Sequence, residues 1–358
     1  MKIGIVTQPL WGNYGGILQN YALQEVLRQL GHEPLTLDFM WGYKGFRWQV
    51  ARAKRVVAKL LGRGGSWHVD QAPKRHSKPI DDFVNRHIAH TPYFWNTYSP
   101  RLVAQNRLDA VIAGSDQVWR PCYNPQLACM FLSFTRKAQV RRIAYAASFG
   151  TAEWEYTEAQ RRQCAKLLKR FDAVSVREKS GVTLAARLGR EAVQVLDPTL
   201  LLGREGFEKL LPEDSGAAKT TLGAYILDTG ADTAAELERI RTAAQCEEVE
   251  LLTENLHDVG PAEWVAEIRG SRFFVTDSFH GTIFCILFHV PFVTVVNTAR
   301  GADRFFSLLE PIGLRHRMVE RLAEVGPAME TPIEWDEVDK ALSAARSASL
   351  EFLKNTLS

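Results

Sequence analysis

A chain of 358 residues, 46% hydrophobic and 24% charged, has ordinary globular composition and the length for roughly two hydrophobic cores. A net charge of +3 excludes a uniformly basic nucleic-acid binder, so no nucleic-acid partner is expected. The five cysteines, Cys122, Cys129, Cys164, Cys246 and Cys285, are scattered without CxxC or Cys/His spacing, which points to a reducing compartment, no structural metal and no metal cofactor.

Residues 2–7 (KIGIVT) read as a short strand, entered without a signal-peptide pattern. No apolar run reaches the ~18 to 20 residues of a membrane span, so a cytoplasmic protein is expected. A loop over residues 8–16 (QPLWGNYGG) leads into an amphipathic helix over 17–30, closed by Gly31, and residues 34–39 (PLTLDF) form the next strand. This βαβ opening suits a doubly wound sheet. GNYGG is neither GxGxxG nor part of GxxxxGK[ST], so nicotinamide and P-loop chemistry are not indicated. Its glycines let a ligand approach the backbone closely, which makes Asn13 and Gly15 candidate contacts; a plain tight turn is the other reading.

Between Lys44 and Lys78, ten Lys or Arg stand against one acidic residue, Asp70. There Phe46, Val50, Ala53, Val57, Leu60 and Leu61 recur every three or four positions with basic residues between them, the pattern of a basic amphipathic helix. Such a helix packs on the first domain or docks the protein on an anionic membrane surface.

Further strands fall at 109–114, 142–148, 172–176 and 192–196. Ser115, Asp116, Gln117 and Trp119 follow the first, and Arg177, Glu178, Lys179 and Ser180 the third, where a doubly wound sheet draws its ligand contacts. Either cluster would serve equally as a helix cap. Asp197-Pro198 and residues 211–221 (LPEDSGAAKTT) have linker composition. The expected division is a first α/β domain at 1–210, a second at 211–332, and a closing helix within 333–358.

The second domain resumes with strands at 222–227 and 249–253 and a helix at 261–270. Residues 273–296 (FFVTDSFHGTIFCILFHVPFVTVV) then read as strand, tight loop, buried helix and strand. His280 stands at the strand-to-helix handover, where helix N–H groups and the dipole favour an anion, and an imidazole there is a candidate proton donor. The alternative is that His280 caps the helix or satisfies a buried carbonyl. His289, within the apolar block, reads as a core residue.

These segments in order, GNYGGILQNYALQ, GSDQVWRP, IAYAASFG, SVREKSG, VTDSFHGTIF with PFVTVVN, and RGADRFFSLLEPIGLRHR, resemble the polysaccharide pyruvyl transferases over residues 1 to about 319. The resemblance implies two Rossmann-like domains arranged as in GT-B glycosyltransferases, with the donor in the cleft between them. It also implies that phosphoenolpyruvate gives its enolpyruvyl unit to two hydroxyls of a sugar, commonly lipid-linked, leaving a pyruvate ketal and phosphate. Many relatives carry Arg two positions before the motif His; here Ser278 stands there, so a cation must come from elsewhere, with Arg177, Arg300 and Arg304 as candidates. His280 would be the acid and Asp116 the base for the attacking hydroxyl. Ser278, Gly281, Asn13, Gly15, Gln117 and Trp119 complete the expected substrate contacts, with no cofactor beyond the donor itself. The competing readings are a nucleotide-sugar GT-B transferase, for whose donor only Asp303 and Glu310 offer carboxylates, and a non-catalytic carbohydrate-binding protein of this fold.

Overall fold

The computed structural model describes residues 1–40, 50, 53–54, 56–57, 77–95, 98–213, 219–252, 259–297 and 301–358. Most of the basic segment between Lys44 and Lys78 lies outside them, as does Arg300.

In the first domain, β1 (Lys2–Val6), β2 (Glu33–Thr36), β5 (Ala110–Ala113), β6 (Arg141–Ala147), β7 (Ala173–Val176) and β8 (Val193–Gln194) form a parallel sheet in the order β2-β1-β5-β6-β7-β8. The short pair β3 (Phe39–Met40) and β4 (Phe94–Trp95) lies apart from it. In the second domain, β9 (Thr221–Tyr225), β10 (Glu248–Leu251), β11 (Phe273–Thr276), β12 (Phe292–Val295) and β13 (Met318–Val319) are parallel in the order β10-β9-β11-β12-β13. Central strands such as β5 and β11 are buried at every position because helices cover both faces, which is why they read as unbroken apolar runs. Each sheet reverses its winding beside its first strand, between β1 and β5 and between β9 and β11. Those are the switch points where such sheets open a ligand crevice.

The domains are joined by an apolar seam. Tyr14, Ile17, Leu18 and Tyr21, on the helix Tyr14–Gln29, share one buried cluster with Trp264 and Ile268 of the helix Pro261–Gly270 and with Phe279, Ile283 and Phe284 of the helix Phe279–Leu287. The Tyr14 hydroxyl donates across the seam to the Val259 carbonyl, 2.5 Å away. The last helix, Trp335–Leu357, spans both halves: Val338 and Leu342 join this cluster, while Leu353 and Leu357 pack beneath the first sheet with Ile3, Ile5 and Ile112.

Two local expectations change. The first helix begins at Tyr14, three residues earlier than its apolar pattern suggests, because Asn13 caps it and the glycines of GNYGG form its first turn. His289 is not a core residue. Its ring stacks on Trp335 at 4.7 Å and its Nε2 lies 3.0 Å from Asp339, so it fastens the last helix from the surface. Among the described residues, no helix is long and apolar enough to cross a membrane.

Candidate active site

Two helix starts meet at His280. Ser278 caps its helix by accepting the Gly281 N–H at 3.2 Å, and Asn13 caps the Tyr14–Gln29 helix by accepting the Gly16 N–H at 3.2 Å. His280 is the second residue of its helix and 6% exposed. At such a start, the first two N–H groups, those of Phe279 and His280, have no intrahelical acceptor and face outward along the axis. Gly15 lies flat against the imidazole: a Cβ there would stand 2.1 Å from Nδ1 and 2.4 Å from Cγ, so only glycine allows this approach. A Cβ on Gly16 would stand 3.2 Å from Oδ2 of Asp116. Asn13, Gly15, Asp116 and His280 therefore lie at one place, at the carboxyl end of the first sheet.

Asp116 follows β5 with φ of +76°, a left-handed conformation that Asp tolerates better than most residues. The surroundings hold it there: its carbonyl accepts Val118 and Ser148 N–H groups at 2.7 and 3.1 Å, and its Oδ1 accepts the Gln117 N–H at 2.8 Å.

Arg177 leaves the end of β7 buried, its guanidinium carbon 4.4 Å from the centre of the Phe279 ring. Arg304, in the helix Asp303–Leu309, approaches the same ring at 5.6 Å. The two cations thus flank the first residue of the His280 helix. Nε and Nη2 of Arg177 and Nε of Arg304 are shut off from solvent with no hydrogen-bond partner among the described residues. Each such donor costs about 1 to 3 kcal/mol unless an acceptor arrives. Burial, together with repulsion from Arg177, pulls the Arg304 pKa down to about 10, so it stays charged at neutral pH. Burial pushes the Glu178 carboxyl up against the opposing pull of Arg177, while its Oε1 accepts the N–H groups of Phe149 and Gly150 at 2.6 and 3.1 Å.

Asp197 joins the halves of the site. Its Oδ2 accepts Ser115 Oγ at 2.8 Å and Arg177 Nη1 at 3.0 Å and lies 3.6 Å from His280 Nε2; its Oδ1 accepts the Thr199 N–H and hydroxyl at 3.0 and 2.6 Å. Burial alone would raise its pKa, but His280, Arg177 and Thr199 outweigh burial and hold it far below the usual carboxylate range. The domains also meet above the site. Gly301, with φ of +97°, lies on the Gly150 carbonyl with no room for a Cβ; Ser180 donates to Asp303, and the Lys179 N–H to Ser307 Oγ at 2.9 Å.

A sequence model of the family described as polysaccharide pyruvyl transferase matches residues 13–298. The chain belongs to this family. No curated protein sequence matches it significantly. Among solved structures it is similar to a Listeria monocytogenes protein described as a UDP-N-acetylglucosamine 2-epimerase, at 10% identity and a TM-score of 0.53, over 99% of this chain and 90% of that one. It is also similar to the UDP-N-acetylglucosamine 2-epimerase of Rickettsia bellii, at 9% identity and a TM-score of 0.51, over 99% and 96%. At such identities the likeness carries the fold alone: two parallel-sheet α/β domains of the GT-B kind with a C-terminal helix.

Within this pyruvyl transferase fold, His280, Asp116, Arg177, Arg304, Asn13 and Gly15 come together, although up to 291 positions separate Asn13 from Arg304. Trp119 does not join them. It is fully buried, stacked on Phe131 at 4.8 Å with its Nε1 on the Met130 carbonyl, and is a core residue of the first domain. Ser278 spends its hydroxyl oxygen on the helix cap, and Gly281 supplies the N–H it accepts. Gln117 is nearly buried and its Oε1 accepts Arg120 Nη1 at 3.1 Å, so it braces the Gly150 turn. Of the two carboxylates expected for a nucleotide sugar, Asp303 is engaged by Ser180 and Glu310 is exposed beside Arg315. Sequence reasoning missed Asp197, whose Asp-Pro pair reads as a boundary. Its one signal was that Asp precedes Pro at a helix start, the pattern of a cap.

Proposed function

We propose that the protein transfers the enolpyruvyl unit of phosphoenolpyruvate to two hydroxyls of a sugar acceptor, forming a pyruvate ketal and releasing phosphate. The observation that carries this reading is the pair Arg177, buried, and Arg304, half-buried, whose enclosed N–H groups have no partner among the described residues and which flank the helix start that bears His280. A phosphate and a carboxylate on one small donor match two guanidinium forks and the outward helix N–H groups.

In the proposed chemistry one sugar hydroxyl adds to C2 of the enol while C3 takes a proton from His280. Asp116 accepts the hydroxyl proton. The second hydroxyl then adds to C2 as the bond from C2 to the phosphate oxygen breaks, and its proton leaves with the phosphate. The arginines counter the donor's negative charge in both steps. Phosphate release from phosphoenolpyruvate, measured against a panel of lipid-linked and nitrophenyl sugars, tests the reading. Release with no acceptor-dependent component, or none with any sugar, would overturn it.

The acceptor is proposed to be carried on a lipid, with the protein working at the cytoplasmic membrane face through the basic residues between Lys44 and Lys78. Each cation near an anionic surface contributes ~1 kcal/mol, within a Debye length of ~8 Å. Salt-reversible co-sedimentation with anionic but not neutral vesicles is expected; equal binding to both would remove the electrostatic docking.

A further inference from the structure

His280 meets its neighbours with two different nitrogens. Nδ1 lies along Gly15, on the side where the two helix starts converge. Nε2 points the other way, is shut off from solvent, and has no hydrogen-bond partner among the described residues; Asp197 Oδ2 stands 3.6 Å from it. We propose that Asp197 is a positioning residue for the reaction, turning the ring so that a proton on Nε2 faces its carboxylate and Nδ1 is the nitrogen presented to the donor. This rests on the reading of His280 as the proton donor.

The carboxylate is well made for that task. Hydrogen bonds from Ser115, Arg177 and Thr199 occupy both oxygens, so it is fixed in the ionised, acceptor-only state. An acceptor-only neighbour selects the imidazole tautomer with hydrogen on the nitrogen that faces it. Contacts of this kind are often long before substrate binds, and half an ångström of closure makes a full hydrogen bond.

The strut that holds Asp197 is itself braced from the far side of the molecule. The Leu196 N–H donates to Ser349 Oγ at 3.0 Å and the Leu196 carbonyl accepts the Tyr145 hydroxyl at 3.0 Å; Arg346 Nε donates to the Leu200 carbonyl at 3.0 Å. Ser349 and Arg346 lie on the C-terminal helix, so that helix sets the height of Asp197. Asp197 and Arg177 belong to the first domain and His280 to the second. The carboxylate therefore engages the imidazole only when the domains are packed together. Among the described residues, the other charged groups near the ring include Arg177, on the same Asp197 oxygen, Arg304, beside Phe279, and Asp116, beyond Gly16. Of these groups, Asp197 is the one recorded at the enclosed nitrogen.

Nitrogen-15 spectra of histidine-labelled, unliganded protein test the assignment without any donor, with the His280 signals identified by their loss in His280→Gln. The neutral ring is expected to carry its hydrogen on Nε2, and Asp197→Asn to shift it to a mixture of tautomers. Hydrogen on Nδ1 in the wild type, or an unchanged tautomer in Asp197→Asn, overturns the proposal. In the kinetic arm, Asp197→Asn should lower kcat ~10²-fold or more with a smaller change in KM for phosphoenolpyruvate. In a His280→Gln background the same change should cost kcat less than about threefold, because that part acts through the imidazole, while any rise in KM carried by the Asp197–Arg177 pair should persist. Equal kcat losses in both backgrounds would make Asp197 a structural residue. If Asp197→Asn does not fold, the wild-type tautomer decides. If phosphoenolpyruvate is not turned over at all, the proposed function falls while the spectra still judge Asp197.

Discussion

The starts of the helices Tyr14–Gln29 and Phe279–Leu287 are built alike and used differently. Each follows the carboxyl end of a central parallel strand, and each is capped by a short polar side chain. The second supplies a titratable ring. The first supplies the absence of side chains, because Gly15 and Gly16 leave room for that ring and for Asp116. One junction brings chemistry and the other brings space, and neither makes a site until the domains pack face to face.

The largest effect should come from the junction that brings chemistry. His280→Gln removes the only titratable group on its helix start, and phosphate release should fall ~10² to 10⁴-fold with the fold kept. Near wild-type release would mean that another group delivers the proton. Gly15→Ala tests the junction that brings space. Ala should improve the helix by ~0.5 to 1 kcal/mol, yet its Cβ would lie 2.1 Å from Nδ1, so the ring must move. A shift of ~1 Å in a reacting group costs ~10²-fold, so kcat should drop on that order, and because the clash extends to the His280 Cβ at 2.8 Å the overpacking should offset the helix gain and lower Tm. Full activity in Gly15→Ala would show that the ring has room to spare and that its place here is not the working one.

The arginines should separate binding from stability. Arg304→Met removes a charge-assisted contact worth ~1.5 to 3 kcal/mol, so the apparent KM for phosphoenolpyruvate should rise roughly ten- to hundredfold. The Arg304 pKa is lowered to about 10, so at neutral pH the folded protein holds a charge that its surroundings disfavour. That penalty persists below pH 10 and fades as the group loses its proton above it. Unliganded Arg304→Met should therefore melt no lower than wild type, and higher if the fill is good. A lower melting temperature with unchanged KM would assign Arg304 to structure.

How much of this was legible in the sequence follows from distance along the chain. The strands of four or more residues and the helix Pro261–Gly270 were readable because their apolar patterns are local, whereas the two-residue strands β3, β4 and β13 were not. The His280 junction was readable for the same reason: a break between two apolar blocks is visible in one window. Trp119 misled because a polar cluster at a strand end resembles a ligand-contact set, while only the fold reveals Phe131 and Phe149 around it. Asp197 stayed hidden because its importance lies in His280, 83 positions away, and in Ser349 behind Leu196, 153 away. No periodicity encodes such meetings. The early helix start was concealed by its two glycines, which weaken helix propensity but are needed for close approach.

The smallest effects belong to the caps, and they sharpen the comparison most finely. The resemblance made Ser278 an expected donor contact, yet its Oγ accepts the Gly281 N–H at 3.2 Å just as Asn13 accepts that of Gly16. If both are only caps, Ser278→Ala and Asn13→Ala should each cost ~1 kcal/mol, a fall of roughly 2 to 3 °C in Tm, with KM for phosphoenolpyruvate changed less than about twofold. The two losses should also add, because the caps share no partner. A tenfold rise in KM for Ser278→Ala alone would mean that its hydroxyl leaves the cap to meet the donor. The position would then serve the donor as well as the helix.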